Sequence, residues 1–139
     1  MTREAVVAEA KTWVGTPYHH YAGVKGVGTD CAFIMIKVFS SCGLIEDFIP
    51  PLYPIDWANH KTEEMYLSFV NKYAHEVASP LAGDIALYKF GRCVSHAGIV
   101  IDDKNIIHAL IGVGVTYSGI EEGQLEGRLV GYYSIFKDH

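Results

Sequence analysis

Residues 28–39 read GTDCAFIMIKVF. A thiol, Cys31, stands directly behind an aspartate and ahead of a nearly unbroken apolar run. Thr29-Asp30 offers a helix N-cap, and residues 31–41 are apolar almost all round, so a centrally buried helix is expected here, closed by Gly43. Free cysteines are among the most buried residue types, and the residue alone reads as packing. Its place in the first turn of a helix raises the other reading. Unpaired backbone N–H groups and the helix dipole there stabilise a thiolate, and the preceding glycine-rich loop lets a substrate backbone approach closely.

Upstream, residues 3–14 place Val6, Ala10, Trp13 and Val14 on one helical stripe, with Thr2 as cap and Gly15 at the end. The segment GTPYHHYAGVKGVGTD is a loop. Downstream, residues 46–61 (EDFIPPLYPIDWANHK) have no clear period and read as an irregular excursion. A second, surface helix is expected from Thr62, with Glu63 and Glu64 in its first turn. After Ser79-Pro80 the texture changes to short β-rich runs: DIALYKF, SHAGIVI, NIIHALI, VGVTYS and RLVGYYSIF. Asp84 reads as a structural turn residue before the first of them. Helices followed by antiparallel strands define an α+β fold.

The chain has 139 residues, half of them apolar, and a formal net charge of -5. That is enough for one domain, residues 1–139, and too little for two. The negative balance argues against binding a nucleic-acid backbone. No stretch is long enough to span a membrane, and the N-terminus does not read as a signal peptide, which places the chain in the cytoplasm at synthesis. The 3 cysteines suggest no disulfide framework. Cys31 and Cys42 on one helix would lie roughly 16 Å apart, too far to bridge. Without a CxxC pair a structural zinc site is not expected.

A thiol nucleophile needs a base, and the base needs a group to orient it. Of the 7 histidines, His96 and His108 differ from the rest in lying within apolar strands. Strand parity tests whether they meet. An even connection through Asp102–Asn105 puts them on opposite faces. An odd connection, or a bulge, sets Gly98 opposite His108 and makes the two histidines diagonal neighbours, roughly 7–8 Å apart at Cβ. The catalytic reading therefore requires the odd connection.

GTPYHHYAG, TDCAF, SPLAGDIALY, SHAGIVID and NIIHAL, in that order, resemble the motifs of the NlpC-type cysteine peptidases of bacterial cell walls, which have a papain-like fold. The resemblance implies Cys31 as nucleophile, His96 as general base and His108 as the residue orienting it. It also implies Tyr18 at the oxyanion or substrate, and Asp30 at the substrate's free amino group, where the helix N-cap is an equally good role. The implied substrate is a peptidoglycan stem peptide cut between D-glutamate and the diamino acid, with no metal or organic cofactor. PIDWANHKTEEMYL is similar to a segment of phage-tail-associated members, which implies phage-like tail proteins as partners and a place in a virion. The family's cysteine box usually continues Ser-Gly, where this chain has Ala32-Phe33. That change removes a polar partner for a substrate amine and implies altered packing or a narrower cleft. It leaves open an amide or thioester hydrolase with another substrate, and a catalytically silent tail component.

Overall fold

The structure, a computed structural model, describes residues 2–55 and 60–138. Helix α1 (Arg3–Thr12) is capped by Thr2, whose hydroxyl accepts from Ala5 N–H, and buries Val6 and Ala10. A short hairpin, β1 (Gly23–Val24) and β2 (Gly28–Thr29), lies inside the glycine-rich loop. Helix α2 (Cys31–Ser41) follows at once, with Asp30 as N-cap, and Gly43 at φ +73° lets the chain leave it. Eight of its residues are buried, as its apolar girth requires. Helix α3 (His60–Tyr73) begins two residues before the expected Thr62.

The remaining strands form one antiparallel sheet of 6 strands. In chain order they are β3 (His75–Val77), β4 (Ile85–Phe90), β5 (Cys93–Val100), β6 (Asn105–Leu110), β7 (Gly114–Gly119) and β8 (Leu129–Ser134). The spatial order is β3-β8-β4-β5-β6-β7. The alternation of β4–β6 sends Ile85, Leu87, Ala97, Ile99 and Ile107 into the core shared with α1 and α2. It sends Ala86, Tyr88, Val100 and Ile106 to a second core closed by Ile120 and by Leu125 of a single 3-10 turn. The sheet is therefore buried on both faces and holds its register firmly. Strand β3, the β1–β2 hairpin and the 3-10 turn carry too few residues for a periodic signal, and the sequence reading lacks them.

Asp84 is fully buried at the head of β4, where it accepts from Arg3 Nη1 at 2.7 Å and from Leu81 N–H at 2.9 Å. It ties the start of α1 to the sheet, the structural role its position implies.

Two local features position the site. The β5–β6 connection is odd: Val100 pairs with Ile106, leaving residues 101–105 between them. Asp102 Oδ1 fixes this turn by accepting from the backbone N–H groups of Lys104 and Asn105, both at 2.8 Å. Strand β5 also carries a bulge. Tyr88 pairs with His96 and Lys89 with Val94, so Ser95 has no opposite number on β4.

Phe33 is accommodated by packing. It is buried against Tyr21, with ring centroids 5.0 Å apart and nearly perpendicular, and against the bare backbone of Gly23. A Cβ at Gly23 would lie 2.8 Å from Phe33 Cδ1 and 2.9 Å from its Cβ. Gly23→Ala is expected to lower stability in urea unfolding by about 1–3 kcal/mol. In a Phe33→Gly background the same change should cost less, because the atoms it strikes are gone.

Candidate active site

The site is assembled from the N-terminus of α2, strands β5 and β6, helix α3 and the irregular segment before it. Asp30, only 1% exposed, accepts through Oδ1 from the N–H groups of Ala32 (3.1 Å) and Phe33 (2.9 Å). Its Oδ2 accepts from Tyr21 N–H at 2.8 Å and from the Tyr53 hydroxyl. Tyr21 holds a left-handed backbone, φ 54°, and its own hydroxyl donates to the Pro50 carbonyl. A non-glycine residue persists there only where its surroundings over-determine it, and here both its amide and its hydroxyl are held.

Cys31 is 8% exposed. Its sulfur accepts from the Tyr66 hydroxyl at 2.9 Å and lies 3.9 Å from the Ser95 carbonyl oxygen. It borders a cavity of about 20 Å³, room for roughly one water. Tyr18, Asp30, Tyr53, Thr62, Tyr66 and Ser95 also line it. Burial, then the negative charge of Asp30, pushes the thiol pKa up to about 12, against a smaller opposing effect of the Tyr66 hydrogen bond.

His96 and His108 meet as the odd connection requires. His96 Nε2 and His108 Nδ1 are 2.8 Å apart, with ring centroids at 5.1 Å. Tyr88 and Phe90 flank the His96 ring at 5.9 and 5.6 Å. Burial, and then the neighbouring His108, depresses the His96 pKa well below its usual value; burial lowers that of His108 to about 4. Both rings are therefore neutral near pH 7, so one nitrogen of the contact donates and the other accepts.

The structure thus joins the expected residues in two groups. Cys31, Asp30 and Tyr18 surround one cavity, while His96 and His108 form a pair on the next two strands. Ser95, adjacent to His96 on the bulge, touches the thiol. Among the described residues no hydrogen bond links Cys31 to His96: the sulfur accepts from Tyr66 and donates to the Ser95 carbonyl, whereas the His96 ring sits with Tyr88 and Phe90 on the sheet face that carries the second core. Asp30 already carries four hydrogen bonds from the protein, which fits its N-cap role and leaves little capacity for a substrate amine. Tyr66, Tyr53 and Ser95 are site residues the sequence reading missed. Tyr66 lies on an ordinary amphipathic helix and Tyr53 in an aperiodic segment, so neither carried a motif.

The NlpC/P60 family model matches residues 15–134, most of the chain and every site residue above. The chain belongs to the NlpC/P60 family. Solved NlpC/P60 structures share its fold at low identity. A lipoprotein-like NLP/P60 protein of Staphylococcus aureus superposes with a TM-score of 0.68 at 17% identity, over 96% of this chain and 41% of its own. The NlpC/p60 domain of the peptidoglycan hydrolase SagA gives 0.64 at 19%, over 96% and 97%. The peptidoglycan hydrolase RipB of Mycobacterium tuberculosis gives 0.65 at 19%, over 95% and 63%. This chain thus spans about two fifths of the staphylococcal protein and nearly the whole SagA domain. No match was found among curated proteins. The likeness establishes the mixed helix and antiparallel-sheet fold of NlpC/P60, papain-like structures.

In this NlpC/P60 chain the buried histidines make stability depend on pH. Below about 6.5 the unfolded chain binds protons that the folded one refuses, so stability is present above that pH and is lost as pH falls towards the folded values. His108 alone accounts for on the order of 3 kcal/mol across that window. Urea midpoints measured from pH 7 to pH 4.5 should fall steeply, and a His108→Gln variant should show a flatter profile.

Proposed function

We propose that the chain is a cysteine peptidase hydrolysing amide bonds in peptidoglycan stem peptides, with Cys31 as nucleophile, His96 as general base and His108 as its orienting partner. The observation that carries this reading is the His96–His108 contact at 2.8 Å, on strands beside a helix whose first residue is a cysteine. The peptidoglycan hydrolases among the structural neighbours support the substrate class. The bond expected is that between D-glutamate and the diamino acid.

In the working tautomer His96 Nε2–H donates to His108 Nδ1, leaving His96 Nδ1 to act as the base. Because the ring rests beside Tyr88 and Phe90, it must swing past the Ser95 bulge to reach the thiol. His108 then carries its own proton on Nε2, an atom that is buried without a protein partner. The thiol first gives up its hydrogen bond from Tyr66. Sulfur then attacks the carbonyl carbon as His96 takes the proton, and His96 passes that proton to the departing amine. Water attacks the resulting thioester through the same base, releasing the acid and restoring the thiol. The N–H groups of Ala32 and Phe33 are committed to Asp30, so the backbone donor for the oxyanion is the amide of Cys31 itself, with Tyr18 as a second donor.

A second reading, a related amide or thioester hydrolase with a different substrate, is favoured by Ala32 and Phe33 in place of the usual Ser-Gly. The phage-tail setting rests on PIDWANHKTEEMYL, of which residues 56–59 lie outside the described residues. Finding the chain in purified phage-like particles tests that setting, and its absence from them would remove it.

Incubation with purified muropeptides should release a new free amine. Cys31→Ala should abolish that release, and His96→Ala should slow it by about 10²–10⁴-fold. Release unchanged in Cys31→Ala would overturn the assignment.

A further inference from the structure

A second cavity among the described residues does not contain the thiol but adjoins it. It has a volume of about 580 Å³, within the usual range of small-molecule sites, and lies between α2, α3 and the segment around Phe48. Met35, Ile36, Phe48 and Phe69 form its apolar walls, and the charged Glu46, Glu64 and Lys72 are exposed side chains that border it. Ala32, Tyr53, Met65 and Tyr66 line both this cavity and the small one around Cys31. The two spaces therefore share a wall that begins at the residue following the nucleophile. That residue is Ala32, where a serine would turn a hydroxyl towards the same space.

The methylenes of D-glutamate end in a carboxylate and those of a diamino acid in an ammonium group, so neither side chain fills an apolar volume of this size. We propose that this cavity binds an aliphatic chain of the substrate, attached close to the carbonyl that Cys31 attacks. The inference rests on Cys31 as the nucleophile but not on peptidoglycan as the substrate. It assigns selectivity to apolar burial in the helical half of the molecule. Ala32 and Met65 supply the apolar part of the shared wall, and the hydroxyls of Tyr53 and Tyr66 are already engaged by Asp30 and Cys31.

N-alkylmaleimides of increasing chain length test this without requiring turnover. The thiol adds across the maleimide double bond, forming one S–C bond and delivering its proton to the other carbon. The alkyl group is thereby placed next to the sulfur. Rates at Cys31 are read by peptide mass spectrometry at pH 8.5 and divided by those at Cys93, a partly exposed thiol that does not border either cavity.

Burying a methylene favours association by up to about fourfold. The normalised rate should therefore rise at least tenfold from N-ethylmaleimide to N-hexylmaleimide. Ala32→Leu and, independently, Met65→Trp fill the shared wall and should bring the hexyl-to-ethyl ratio down towards one, whatever they do to the absolute rates. A ratio near one in the unaltered protein overturns the proposal, as does failure of Cys31 to react with any member of the series. A rise with N-phenylmaleimide but not with N-hexylmaleimide overturns the aliphatic occupant and assigns the space to an aromatic group. Muropeptide cleavage together with a flat series would leave the peptidase reading standing and this one refuted. A steep series without muropeptide cleavage would do the reverse.

Discussion

One buried carboxylate holds the site together. Asp30 caps α2 through one oxygen and, through the other, fastens Tyr21 of the glycine-rich loop and Tyr53 of the segment before α3. Without these bonds the first turn of α2 would have unpaired N–H groups, and the two irregular segments beside Cys31 would lose their common anchor. An N-cap of this kind contributes about 1 kcal/mol on its own. Its larger consequence is geometric. The thiol is set at a defined height against the sheet, facing Ser95 and the bulge of β5.

That same anchoring brings a negative charge close to a thiol and shields both from water. Burial and Asp30 act together to keep Cys31 protonated, while burial keeps His96 and His108 neutral. The thiol and the two imidazoles therefore all rest uncharged, with no preformed ion pair. Tyr66 holds the sulfur in that state. In the proposed mechanism the substrate displaces this contact before the thiol attacks. In that mechanism His108, a neutral acceptor, steadies the imidazolium on His96 by a hydrogen bond and not by a full opposing charge.

Much of this was legible in the sequence because it rests on short-range rules. Asp30 followed by an apolar run specified a capped, buried helix. Strand parity around Asp102–Asn105 tied the histidine contact to an odd connection, and the structure has one. The Tyr66 and Tyr53 contacts were not legible, since they depend on how α3 and the preceding segment fold back over α2. A tyrosine on an amphipathic stripe looks the same whether it meets a leucine or a thiol. The bulge at Ser95 was equally hidden, because nothing local to SHAGIVI reveals which residue of β5 goes unpaired. Phe33 was read as crowding the cleft or altering the packing, and Gly23 decides for packing.

The central claim is that Cys31 carries the acyl group of the substrate. It is tested most directly by denaturing an acid-quenched mixture of the protein and muropeptide within the first turnovers and mapping its covalent adducts by mass spectrometry. The account requires a thioester adduct on the Cys31 peptide, equal in mass to the acyl half of the cleaved substrate, decaying as the free acid appears. Cleavage that proceeds with the acyl group on another residue, or undiminished in Cys31→Ala, would contradict it.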